Sequence, residues 1–133
     1  MDLGTINWLA VIAAALSSFM IGGLWYGPLF GRQWLRASGI TAERAAQARL
    51  GLVLGVSFVL QLVAAVVLAM FIGGAASLSF ALIAAASVGL FWVAPALGVI
   101  YLFEQRSMRH WAVNAGYQAV AFTVMGLILG VWR

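Results

Sequence analysis

The chain has 133 residues, of which 65% are hydrophobic and only 8% charged, and its formal net charge is +4. Soluble domains carry about 25% charged residues, and a chain this short cannot hide so much apolar surface in one aqueous core, so a water-soluble globular domain is excluded and lipid is the expected solvent. The basic excess is all arginine and lies beside apolar stretches, which points to anionic lipid headgroups and not to nucleic acid; with no cysteine, disulfides and thiolate metal sites are excluded too.

Apolar stretches occupy about 6–26, 50–72, 78–103 and 111–132. About 20 apolar residues suffice to cross the hydrocarbon. Backbone polar groups in lipid must pair internally, and the period-two alternation of a barrel is absent, so the stretches are expected to be helices. The sequence predicts an all-α membrane protein: a single domain, 1–133, built as a four-helix transmembrane bundle. The first span is expected to be retained. Only Asp2 is charged before it, and it ends in Trp25-Tyr26-Gly27-Pro28, not in a small-residue cleavage motif.

The first loop, 27–49, is expected to hold a short interfacial helix over 29–38, with Phe30 and Trp34 on one face and Arg32 and Arg36 on another. Gly39 is the expected stop and Thr41 the next N-cap, with Glu43 in the first turn. From Thr41 the spacing predicts one unbroken helix into the second span. The second loop, 73–77, is uncharged, and the third, 104–110, carries Arg106 and Arg109. Loops one and three therefore hold Arg32, Arg36, Arg44, Arg49, Arg106 and Arg109, against Arg133 alone beside the termini. Positive residues stay cytoplasmic. The expected location is the plasma (bacterial inner) membrane, with both termini outside and loops 27–49 and 104–110 cytoplasmic. Trp8, Trp25, Tyr26, Trp111 and Trp132 fall at span ends, where amphipathic rings favour the headgroup zone.

Small residues recur at four-residue spacing: Ala10, Ala14, Ser18 and Gly22; Gly51 and Gly55; Ala94 and Gly98; Gly126 and Gly130. Such stripes let helices approach closely in lipid. Pro95 is expected to kink the third span and free a carbonyl near Phe91.

Polar groups inside spans are costly and come first as candidates. His110, Asn114, Tyr117 and Gln118 share one helical face in the cytoplasmic half of the fourth span. Tyr101 and Glu104 end the third span at the same depth, as Trp25 and Tyr26 end the first. These eight residues form the candidate ligand site, open to the cytoplasm, with Glu104 expected to face inward. The plainer alternative is that they are structural, with Glu104 in a surface ion pair to Arg106 or Arg109. Arg32, Arg36, Arg106 and Arg109 are the candidate lipid-headgroup residues. Gln61 is read as a packing hydrogen bond, and the span serines and Thr123 as bonded to their own backbone. A continuous pore is not expected, because the outer half of the polar face becomes Ala121, Val124, Met125 and Ile128. No catalytic residue, metal site or cofactor is expected: one histidine and three acids cannot supply an ordinary zinc site, and neither a nucleophile elbow nor a phosphate-binding loop occurs.

Asn7-Trp8-Leu9-Ala10-Val11, Trp25-Tyr26-Gly27-Pro28-Leu29-Phe30-Gly31 with Trp34, Leu102-Phe103-Glu104, Asn114-Ala115-Gly116-Tyr117 and Met125-Gly126 stand in an order and spacing that resembles the DUF1761 family of small membrane proteins. Gly27 replaces a more usual serine and Arg32 a more usual lysine. The resemblance implies an integral membrane protein and a compact four-helix unit, and no reaction. It draws attention to Trp25, Tyr26, Pro28, Trp34, Glu104, Asn114 and Tyr117. The function read from the sequence is binding of a small ligand, a lipid headgroup or a partner at the cytoplasmic face. The alternative is a subunit of a homo-oligomeric small transporter or channel.

Overall fold

The computed structural model describes residues 2–132, which leaves Arg133, one member of the arginine comparison, outside the described residues. The described chain is helical almost throughout and has no strand. Four helical runs are long and apolar enough to cross a membrane: Trp8–Leu29, Leu50–Ile72, Leu78–Phe103 and Met108–Val131. The first consists of α1 (Trp8–Leu24) and a π-helical turn (Trp25–Leu29), followed by two short helices, α2 (Gly31–Ser38) and α3 (Ala42–Ala46). The second is α4 (Leu50–Ile72). The third joins α5 (Leu78–Ser87) to α6 (Ala94–Phe103) through another π-helical turn, Val88–Val93. The fourth is α7 (Met108–Val131).

Local chemistry sets these boundaries. Side-chain oxygens of Asn7, Thr41, Ser77 and Ser107 accept the N–H three residues on, capping α1, α3, α5 and α7. Gly39 ends α2 in the left-handed region at φ 74°, where a side chain would be strained. The α6 terminus closes differently. Gln105 takes φ 59°, its N–H donates to Leu102 O, and the Arg106 N–H reaches back to Tyr101 O at 2.9 Å. Both prolines accompany π turns. Pro28 lies inside the first, where Phe30 N donates to Trp25 O at 2.7 Å. Pro95 enters the first turn of α6 directly after the second, so the misfit expected at Phe91 is absorbed by the wider turn.

α7 is the most buried of the four runs and α4 the least. α1, α5 and α6 all pack on α7, and α4 packs mainly on α1. The core gathers at the end that carries the termini and loop 73–77, called here the terminal end. It contains Ala10, Val11, Ala14, Ala65, Leu68, Ile72, Ala81, Ala85, Phe122, Met125 and Leu129. Ala10, Ala14 and Ser18 of the predicted stripe are fully buried. A Cβ on Gly126 would overlap the Ala85 methyl and lie 2.8 Å from the Ala81 carbonyl oxygen, so α5 and α7 meet nearly backbone to backbone. Gly89 does the same one π turn further on, with a hypothetical Cβ 2.8 Å from the Ala119 Cα.

Two expectations are corrected. α3 and α4 are not one helix: the chain leaves helical geometry at Gln47–Arg49, and Arg49 precedes α4 with ψ 86°. Residues 41–56 are exposed throughout, so no packing holds the polar turn in line with the apolar helix. Gly51 and Gly55 make no close helix contact either, because nothing lies within 4 Å of a Cβ at either position. At the opposite, arginine end, α4 stands away from its neighbours.

Candidate functional site

α1 and its π turn, α6 and α7 converge at the arginine end on Asn114. The Tyr26 hydroxyl donates to Asn114 Oδ1 at 2.7 Å. Asn114 Nδ2 donates to the Tyr101 hydroxyl at 3.0 Å and lies 3.2 Å from His110 Nε2. With the amide nitrogen facing it, His110 Nε2 accepts when the neutral ring carries its proton on Nδ1. His110 is buried, and Nδ1 has no partner. Its ring packs against Tyr101 with centroids 4.9 Å apart. Tyr117, one turn deeper than Asn114, donates its hydroxyl to Ser18 O at 2.9 Å and packs on Tyr26 at 5.3 Å.

Two indoles tie the same region to backbone. Trp25 Nε1 donates to Val113 O and Trp111 Nε1 to Ala94 O, each at 2.8 Å. Both are half-buried, whereas Trp8 and Trp132 are exposed. The span-end aromatics therefore divide into inter-helix fasteners and exposed rings. α2 folds back over this end. Phe30 packs on Trp25 at 4.7 Å and Trp34 on Tyr26 at 5.8 Å, while Arg32 and Arg36 stay exposed.

Where α4 stands away, a crevice of about 870 Å³ opens, lined by Tyr26, Tyr101, Asn114, Tyr117 and Gln118 among the predicted residues. α2 adds Gly31, Arg32, Trp34 and Leu35, α4 adds Val53 and Ser57, and α6 adds Leu97. The volume is within the range of small-molecule sites. A smaller cavity of about 260 Å³ at the terminal end is lined by Asp2, Asn7, Met70 and Trp132, among others.

Of the eight predicted site residues, Tyr26, Tyr101, His110 and Asn114 form one hydrogen-bonded cluster. Tyr117 joins it through ring packing, and Trp25 fastens the adjoining wall. Gln118 lines the crevice, its side chain without a hydrogen-bond partner among the described residues. Glu104 is the exception. It is exposed and pairs with Arg106 at 2.8 Å, so its expected inward orientation is corrected. The turn at Gln105 explains this, because it brings Arg106 alongside Glu104 on the exposed side.

Arg106 also donates to Ser38 O at 3.4 Å and is thus occupied. Arg36 and Arg109 flank a shallow cleft with Ala37 and Ser107 and have no acidic partner among the described residues. The sequence reading missed Ser57, taken as self-bonded, and Leu97. Ser17 and Thr123 do bond their own helix backbone, but the Ser57 hydroxyl has no partner among the described residues. Gln61 makes no packing hydrogen bond either. The available signal was spacing: 57 and 61 precede 65, 68 and 72 on one face, and Ala65, Leu68 and Ile72 are buried.

No curated protein and no solved structure matches the chain. A family model, "Protein of unknown function (DUF1761)", matches residues 9–130, which spans the π turn, the Asn114 cluster and the crevice, and the chain belongs to that family.

Proposed function

We propose that this is an integral membrane protein, a four-helix bundle with both termini outside, that binds a small ligand in a cavity at its cytoplasmic end. The observation that carries the reading is the crevice itself. Tyr26, Tyr101 and Asn114, linked by hydrogen bonds, line it together with unpartnered Gln118 and Ser57. Unpaired polar groups on membrane helices are costly and mark ligand sites more often than lipid-facing surface. The arginine distribution supports the orientation. α2, with Arg32 and Arg36 exposed, fits a helix lying at the inner interface. Arg36 and Arg109, with no acid beside them, are the better headgroup contacts, and Arg106 is the weaker one because Glu104 neutralises it.

Binding is favoured over a transporter or channel by the terminal half. There the continuation of the α7 face is packed core, with Ala121, Met125 and Leu129 buried.

The absence of native cysteine makes the test direct. Ser57→Cys should react with a small thiol reagent and Met125→Cys should not. Ser38→Cys should be modified by an impermeant reagent only from the cytoplasmic side, and Thr5→Cys only from the other. An unreactive Ser57→Cys would remove the cavity, and reversed sidedness would remove the orientation.

A further inference from the structure

We infer that the crevice takes an anionic amphiphile: a phosphate or carboxylate head held by Arg32, a hydrogen-bonding segment against Gln118 and Tyr101, and an apolar chain leaving sideways between α4 and α6. This rests on the binding reading above and names the chemical class of its ligand.

Charge comes first. The crevice is lined by tyrosines, glycines, apolar residues, Ser57, Asn114 and Gln118; Arg32 is its sole charged residue and no carboxylate faces it. Among the described residues Arg32 has no ion pair or side-chain hydrogen bond, unlike Arg106, whose charge Glu104 meets at 2.8 Å. A guanidinium at the mouth of a weakly polar cleft presents a fork of donors matched to an oxyanion. Attraction between such charges strengthens as solvent is excluded.

Hydrogen bonding comes second. The Tyr101 hydroxyl receives the Asn114 amide, so its own proton is free to donate. Gln118 offers both a donor and an acceptor with no partner inside the protein. A ligand with an ester, amide or hydroxyl next to its head satisfies both, and a bare hydrocarbon satisfies neither.

The direction of entry comes third. Val53 and Ser57 form one lip and Leu97 another, on helices whose neighbouring residues, Val56 and Leu60 on α4 and Val99 and Ile100 on α6, are exposed apolar side chains. The opening therefore faces the apolar phase as well as the arginine end. A ligand with a long chain can reach it from the bilayer without crossing water.

The test uses full-length Ser57→Cys protein in nanodiscs of phosphatidylcholine, with the rate of thiol modification as the readout. The probes are dodecyl phosphate, dodecanoate, dodecanol and inorganic phosphate. The two anionic amphiphiles should slow modification, dodecanol should need at least tenfold more, and inorganic phosphate should have no effect. Adding Arg32→Gln should weaken the anionic probes about tenfold, Arg32→Lys should retain most of the binding, and Arg44→Gln should change nothing. Unaltered thermal unfolding of the Arg32 variants excludes misfolding as the cause. Equal protection by dodecanol, or indifference to Arg32→Gln, overturns the anionic class and leaves the cavity reading standing. Protection by inorganic phosphate alone overturns the amphiphile in favour of a free anion. Protection by none of the four overturns the binding reading along with this inference.

Discussion

At the terminal end, α5 and α7 touch through Gly126, Gly130, Ala81 and Ala85, and the contact is small, apolar and dry. At the arginine end, α1, α6 and α7 touch through Trp25, Tyr26, Tyr101, His110, Trp111 and Asn114, and most contacts are directed bonds. Close backbone approach suits the first end, because lipid offers no hydrophobic drive between helices and dispersion must come from near contact. At the second end large rings stand between the helices, and polar groups link them. The crevice lies at that end, where a Cβ on Gly51 or Gly55 of α4 would meet nothing within 4 Å. Close backbone packing and the crevice thus lie at opposite ends of the same four helices.

The sharpest way to break the comparison is to put bulk into the dry end. Gly126→Val would drive its side chain into Ala85 and the Ala81 carbonyl, costing about 3 kcal/mol by overpacking. Gly55→Leu, with open space around it, should change stability by less than about 0.5 kcal/mol. Reversible unfolding in mixed micelles measures both. Similar costs at the two positions would mean that α4 is packed as tightly as α7.

Asn114→Ala probes the wet end. Three side chains lose their shared partner. With membrane hydrogen bonds averaging about 0.6 kcal/mol each, the expected cost is about 2 kcal/mol. In a double-mutant cycle with Tyr26→Phe the effects should be non-additive by roughly 0.5 to 1.5 kcal/mol. Additivity there would reduce the cluster to independent contacts.

The spans were legible because their cause is local: apolar length alone sets them. The Ala10–Ala14–Ser18–Gly22 stripe was legible for the same reason, since the partner helix only has to arrive. Gly51 and Gly55 match that pattern equally well and touch nothing. Spacing tells which face permits close approach, not which face receives it. Gly89 continues the four-residue spacing of Ala81 and Ala85, but in a span where alanine is frequent that stripe did not stand out from the rest. The polar face of α7 was visible as a face, but its hub was not: that Asn114 and not Gln118 ties the helices depends on where Tyr26 and Tyr101 sit across the gap.

The indoles distinguish fasteners from interface anchors. Trp111→Phe removes the donor to Ala94 O and should cost about 1 kcal/mol, within the measured range for inter-helix bonds. Trp132→Phe, at an exposed ring, should cost less than half as much in the same unfolding measurement. Equal losses would return Trp111 to a simple headgroup role.

Glu104 gives the smallest effect and the most specific one. Position along the chain suggested an inward carboxylate, because Glu104 follows an apolar run and lies level with the polar face of α7. Depth along a helix does not give direction around it, however. The left-handed Gln105 turns the chain so that Arg106 meets Glu104 on the exposed side. Exposed pairs of this kind contribute roughly 0.2 to 1 kcal/mol, and a side-chain exposure of 49% on the carboxylate places this one near the lower bound. Glu104→Gln should therefore shift stability by no more than about 0.5 kcal/mol, and less in high salt, where such pairs are screened. Combined with Asn114→Ala the effects should add, because no hydrogen bond links Glu104 to the cluster. A coupling above about 0.5 kcal/mol would bring Glu104 into the site after all and move the boundary of the wet end outward by one helical turn.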